Sequence, residues 1–114
     1  MLLSSGAANA DWGDVYYCQM TNFNGITLEG EQINFKLEMF QFKLDQTKNA
    51  MVFGSTGYFT DSVAELNTGM SYPNIEIWHS NNKYKITNFE DGNFLYGFVF
   101  SNGIKSISAV CDKF

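Results

Sequence analysis

The segment spanning residues 93–100 constrains the fold of this chain most, because it would be apolar on both faces of a strand. One face carries Phe94, Tyr96, Phe98 and Phe100, and the other carries Leu95, Gly97 and Val99. Successive side chains of a β-strand point to opposite sides of the sheet. Such a strand is expected in the middle of a sheet, with other elements covering each face. Gly97 interrupts it, and we expect the strand to bend there, with the close approach of a ligand or of another backbone segment as the alternative.

The remainder of the sequence predicts an all-β domain. Aromatic residues make up 17% of the chain, and aromatic side chains favour strands over helices. Turn-forming residues separate short alternating segments at intervals of about 8–12 residues, which is typical of antiparallel barrels and sandwiches. We therefore predict a small antiparallel meander β-barrel with the architecture of lipocalins and avidins, and keep a β-sandwich as the alternative.

Two local predictions concern the first half of the chain. Residues 15–20 read as the first strand, and residues 21–25 read as a loop because they contain Asn and Gly. Residues 33–44 alternate as one long strand, but their apolar positions shift by one residue at Met39 and Phe40. Such a shift indicates a bulge or a bend within the strand.

Further predictions concern the second half. Residues 60–69 are the candidate for a single short helix, because Ser62 and Glu65 fit a capping box. Residues 80–82 predict a turn from their polar composition. The Asp91-Gly92 pair predicts a hairpin with a type I′ turn.

The length of 114 residues predicts one domain. Within the first ten residues, Ala8-Asn9-Ala10 matches the small-residue pattern of a signal-peptidase site. We interpret residues 1–10 as the remnant of a signal peptide, with a disordered leader as the alternative, and residues 11–114 as a single β domain. This interpretation predicts an exported protein, periplasmic or secreted.

The two cysteines, Cys18 and Cys111, lie near the two ends of the predicted domain. With a single histidine, the chain offers too few soft ligands for a zinc site. We predict a disulfide between the two cysteines, because the first and last strands of a closed barrel are neighbours. A disulfide also fits an exported protein. Two buried thiols in a reducing compartment are the alternative.

The charge of the chain excludes some partners. The net charge is −5, and all seven basic residues are lysines. Without arginine, the chain lacks the planar fork that binds phosphate and guanine, and its negative charge opposes binding to a phosphate backbone. We expect no nucleic-acid partner. No apolar run approaches the roughly 20 residues that a transmembrane helix needs, so we expect no transmembrane segment.

The sequence offers no motif for catalysis. His79 is not accompanied by a G-x-S-x-G nucleophile elbow, and the carboxylates do not form a calcium-loop pattern. Residues 54–57 are rich in glycine but lack the lysine of a phosphate-binding loop. We predict that the protein is not an enzyme and needs neither a metal nor another cofactor.

The surplus of aromatic side chains indicates a cavity for a small molecule, because such sites are lined mostly by apolar and aromatic groups. The candidate ligand-binding residues are Phe40, Phe42, Tyr58, Phe59, Trp78, Tyr84, Tyr96 and Phe98. The expected function is to bind a small apolar or amphipathic ligand inside the barrel, with residues 54–72 as a lid.

The alternative is a protein-interaction module, such as an inhibitor or an envelope-associated factor, with a filled aromatic core. In that case an exposed loop or sheet face would contact the protein partner, and the second apolar face of residues 94–100 would form a dimer face. The chain would be a monomer or a homodimer under either interpretation.

Overall fold

The computed structural model of the protein describes residues 10–66, 71–72, 75–76 and 78–114. Over these residues the chain forms strands and turns, without a helix. Apart from Ala10, the predicted leader lies outside the described residues. In chain order, the strands are β1 (Val15–Thr27), β2 (Gln32–Asn34), β3 (Met39–Asp45), β4 (Ala50–Gly57), β5 (Val63–Glu65), β6 (Ser71–Tyr72), β7 (Ile75–Glu76), β8 (Trp78–Asn82), β9 (Lys85–Glu90), β10 (Asn93–Phe100) and β11 (Gly103–Lys113).

The longer strands form one antiparallel sheet that curls into a nearly closed barrel. Its order is β5-β4-β3-β1-β11-β10-β9-β8, and β2 pairs with β1 beside this path. β5 and β8 are the two edges of the sheet and lie close to each other. We call the gap between them the seam. The predicted antiparallel barrel is therefore confirmed, and the chain does not form the alternative sandwich. β6 and β7 pair separately as a two-stranded sheet.

β1 is longer than predicted because a bulge lets it continue through the expected loop. Its pairing with β11 changes register just after Met20. Before this point the buried positions include Cys18 and Met20, and after it they are Phe23 and Gly25. The extra residue moves the inward-facing positions from even to odd numbers. The predicted loop at residues 21–25 is therefore wrong.

The predicted long strand over residues 33–44 is two strands. β2 pairs with the second half of β1 and β3 with its first half, so the two strands lie on either side of the β1 bulge. Residues 35–38 join them. The phase change at Met39 and Phe40 therefore follows a break between strands. A bulge does occur close by, between Phe40 and Phe42 in the pairing with β4.

The predicted helix over residues 60–69 is wrong where the structure describes it. Val63–Glu65 is the strand β5, and Ala64 lies opposite Met51 of β4. Asp61 has a positive φ of 57°, which turns the chain toward β4. Pairing with β4 supplies backbone hydrogen bonds that a helix of two turns could not sustain alone. Residues 67–69 lie outside the described residues.

One predicted turn is confirmed and another is displaced. Asp91 and Gly92 have φ values of 51° and 79°, and two successive positive φ angles define a type I′ turn. Residues 80–82, in contrast, belong to β8, and the turn falls at Lys83 and Tyr84. Polar composition suggested a turn at residues 80–82, but pairing with β9 holds them in an extended strand.

The sequence predicts that both faces of β10 are covered, but in the structure only one face is. Phe94 is buried in the barrel, but Leu95 and Val99 are 55% and 51% exposed on the outside. A Cβ added at Gly97 would meet no atom within 4 Å, and the φ of Gly97 is not in the left-handed region. The glycine therefore lies on the open outer face, where no steric contact requires it.

Cys18 and Cys111 lie directly opposite each other in the β1–β11 pair and form a disulfide, with Cα atoms 4.0 Å apart. Both residues are buried. The predicted bridge between the first and last strands is confirmed. A buried disulfide is typical of proteins that fold in an oxidising compartment. Among the residues described, no helix has the length and apolar character needed to cross a membrane.

Candidate functional site

Phenylalanine rings fill the middle of the barrel. The ring centroids of Phe40 and Phe94 are 4.8 Å apart, and those of Phe42 and Phe94 are 6.0 Å apart. These separations are within the range of favourable aromatic pairs. Because the rings contact one another, this part of the interior is a packed core. The buried phenylalanines of the core are Phe23, Phe40, Phe42, Phe53, Phe59, Phe89 and Phe94.

The structure brings some of the predicted ligand-binding residues together and separates others. Phe40, Phe42 and Phe59 belong to the core. Tyr58 and Tyr96 are half-buried at its edge, each with its ring 4.9 Å from that of Phe59. The role of these five residues in binding stays a prediction. Phe40 and Phe42 lie within the packed core, whereas Phe59 reaches its edge, where its ring contacts those of both tyrosines.

The other predicted residues lie apart from this group. Trp78 contacts Trp12, with ring centroids 4.8 Å apart, at the end of the barrel where β1 and β8 begin. Both tryptophans pack against the core at this end. Tyr84 is exposed in the turn before β9. Phe98 stacks on Phe100 toward the other end of β10, with ring centroids 5.6 Å apart.

A cleft with a volume of about 430 Å³ opens along the seam. This volume is toward the lower end of the range for small-molecule sites, roughly 300–1,000 Å³. Part of the predicted lid, residues 63–65, forms one wall of the cleft as strand β5. The lining residues are Phe53, Phe59, Ser62, Val63, Ala64, Glu65, Leu66, Ser80, Asn81, Asn82, Lys83, Lys85, Thr87 and Tyr96.

The bottom of the cleft is lined by buried residues, and its mouth is lined mostly by exposed polar residues. Phe53 and Phe59 are buried and contribute apolar rings at the bottom. Ser80 and Thr87 are also buried, and they lie directly opposite each other in β8 and β9. The remaining polar residues of the cleft are mostly exposed at its mouth. The cleft therefore combines an apolar bottom with hydroxyl groups on the β8–β9 wall.

Tyr96 adds a neutral hydroxyl group to the cleft. Burial raises the pKa of Tyr96 to about 12, and the neighbouring Tyr58 contributes to the rise. The pKa of Tyr58 is also raised, first by burial and then by the negative charge of Glu38. Both phenols therefore keep their protons at physiological pH. A neutral phenol can donate one hydrogen bond and accept others, so Tyr96 could hold a polar group of a ligand.

Sequence reasoning missed the β8–β9 wall of the cleft. The polar composition of residues 80–82 predicts a turn, so it gives no sign that Ser80 faces the interior. Thr87 lies on the inward face of β9 with Phe89, but a polar residue at this position weakens the alternation that marks a buried face. The sequence around Phe53 suggests that this residue is buried. It does not indicate that Phe53 lies below the seam.

Comparison with known proteins finds no match for this chain, neither a family model, nor a curated protein, nor a solved structure. Over the described ranges, no three His, Cys, Asp or Glu side chains are grouped closely enough to hold a metal ion. The single histidine, His79, forms a short contact with Asn88 across β8 and β9, and it is not among the residues that line the cleft.

Proposed function

We propose that the protein is a non-enzymatic, exported binding protein that holds a small amphipathic molecule in the cleft at the seam. The cleft itself carries this proposal, because an apolar bottom formed by Phe53 and Phe59 lies below a polar mouth. Small-molecule sites combine apolar contacts with polar groups that orient the ligand. More than half of the described lining residues of this cleft are polar, so it suits an amphipathic molecule better than a wholly apolar one. His79, the residue best suited to acid–base chemistry at neutral pH, is not part of the lining.

A bulky residue in the wall of the cleft tests this function. Ala64 lines the cleft from β5 and is half-buried. In Ala64→Phe, the added ring should occupy the cleft and weaken binding of the neutral fluorescent probe N-phenyl-1-naphthylamine. Val110→Phe is the matched control, because Val110 is 52% exposed on the outside of β11. Equal probe binding by the wild type and by both variants would contradict a site in the cleft.

Export to the periplasm or the medium is supported by two observations, the buried disulfide and the signal-peptidase pattern at Ala8-Asn9-Ala10. Cell fractionation of the full-length gene product, followed by alkylation of free thiols, tests it. The exported protein should be recovered outside the cytoplasm with both cysteines protected. Recovery from the cytoplasm with both thiols free would refute it.

The second candidate is the protein-interaction module, and a row of exposed apolar residues on the outer face favours it. Ile26, Ile104 and Val99 lie directly opposite one another across β1, β11 and β10, and each is about half exposed. Sedimentation of the wild type and of Val99→Lys tests whether this row is the interface of a homodimer. A dimer that dissociates in the variant would support it, and monomers in both cases would count against a homodimer.

A further inference from the structure

The cleft differs in charge from the rest of the chain. The whole sequence has a net charge of −5. Among the described residues that line the cleft, Lys83 and Lys85 carry positive charge and Glu65 carries the one negative charge. Two of the chain's seven lysines thus lie at this small mouth, and the balance of charge among the described lining residues is positive.

These two lysines make weak contacts within the protein. The Lys85 Nζ lies 5.5 Å from the centroid of the Phe98 ring, and the Lys83 Nζ lies 5.8 Å from that of Tyr84. Across the described residues, the one ion pair within 4.0 Å joins Lys113 to Asp14. Neither lysine at the cleft therefore has a carboxylate partner in this part of the chain. A cation over an exposed ring is held less strongly than one paired with an anion.

We infer that the molecule held in the cleft is an anionic amphiphile, whose apolar part contacts Phe53 and Phe59 and whose carboxylate-like head pairs with Lys83 and Lys85. This inference rests on the proposed function and specifies the chemical class of the ligand. An ammonium group at the mouth can hydrogen-bond an anionic oxygen while the lysine stem covers apolar surface.

The other polar groups of the cleft fit this orientation. Ser80 and Thr87 are buried on the wall, and Tyr96 remains a neutral donor beside them. They can hydrogen-bond the head group or its ordered water. Glu65 stands on the opposite edge, in β5, and its charge would repel an anion close to it. The head is therefore placed on the β8–β9 side of the mouth.

Calorimetric titration with decanoate and with 1-decanol tests the inference, because these ligands share a chain and differ in the charge of the head. The double variant Lys83→Gln/Lys85→Gln should bind decanoate about tenfold more weakly, since exposed ion pairs contribute modestly, and should bind 1-decanol like the wild type. Lys105→Gln is the matched control. Lys105 also lies over two rings, those of Phe35 and Phe100, but does not line the cleft, so decanoate binding should not change.

A second measurement needs no variant. Raising the salt concentration from about 0.05 to 0.5 M should weaken decanoate binding several-fold and leave 1-decanol binding unchanged, because salt screens exposed charges.

The outcomes separate the two proposals. If decanoate and 1-decanol bind the wild type equally, without an effect of salt or of the double variant, the anionic ligand is refuted and the cleft remains a binding site. If neither ligand nor the neutral probe binds, the proposed function fails together with the inference.

Discussion

Loss of the Cys18–Cys111 disulfide should destabilise the protein strongly, mainly through its unfolded state. The two cysteines are separated by 93 positions in the sequence, and the chain-entropy model assigns about 4–5 kcal/mol to closing a loop of this length. In the folded state the strands β1 and β11 remain paired along their length without the bridge. The free energy of unfolding should therefore fall by about 4–5 kcal/mol, a large fraction of the roughly 5–15 kcal/mol typical of small domains.

Urea denaturation of the wild type and of Cys18→Ala/Cys111→Ala measures this loss. Thermal unfolding should show it as a decrease in Tm of about 16–40 °C, because 1 kcal/mol corresponds to about 4–8 °C in a domain close to this size. The wild type in the presence of a phosphine reductant is the control, since it lacks the bridge but keeps both sulfur atoms. A loss below about 1 kcal/mol in both samples would refute the reasoning.

Other predictions follow from single positions. Gly97→Thr should raise the free energy of unfolding by about 0.5–1 kcal/mol, because the new side chain enters open space and glycine costs entropy in a strand. Gly92→Thr should lower the free energy of unfolding, since the φ of Gly92 is +79°. A higher Tm for Gly92→Thr than for Gly97→Thr would disprove both predictions. Phe94→Ala should cost about 3–5 kcal/mol in urea denaturation, whereas Phe114→Ala, at a site that is 86% exposed, should change stability by less than about 0.5 kcal/mol. Similar losses at both sites would argue against a packed core. Because the pKa of Tyr96 is raised from 10.0 to about 12, the folded state keeps a proton that the unfolded state releases, and stability should fall as the pH rises through this interval. Tyr96→Phe should show a smaller fall, and identical pH profiles would be inconsistent with the raised pKa.

The sequence predicted features that depend on local chemistry. Asp91 and Gly92 favour one type of turn wherever they occur between strands, and the structure has that turn. The disulfide could be predicted because Cys18 and Cys111 had few other chemical roles. The all-β class followed from alternation and aromatic content, which both report on strand geometry.

Features that depend on tertiary pairing could not be predicted in this way. The Asn and Gly residues within 21–25 favour a loop, but a bulge after Met20 lets β1 continue through them in its pairing with β11. Ser62 and Glu65 fit a helix start, yet pairing with β4 decides that segment. The candidate site could not be predicted either, because its position also depends on how the strands pair. The cleft lies between β5 and β8, two edges whose proximity results from the curl of the whole sheet.

The position of the seam has a consequence for the internal motions of the protein. Strands that are neighbours in the sheet are joined by connections along the chain or, in the case of β1 and β11, by the disulfide. β5 and β8, in contrast, are the two edge strands of the sheet. Local opening is least costly at the short edge strands. In hydrogen exchange, the amides of β5 and β8 should therefore exchange fastest and those of β1 and β11 slowest. A guest molecule could then enter the cleft through fluctuations of the seam while the disulfide-bonded side of the barrel stays folded.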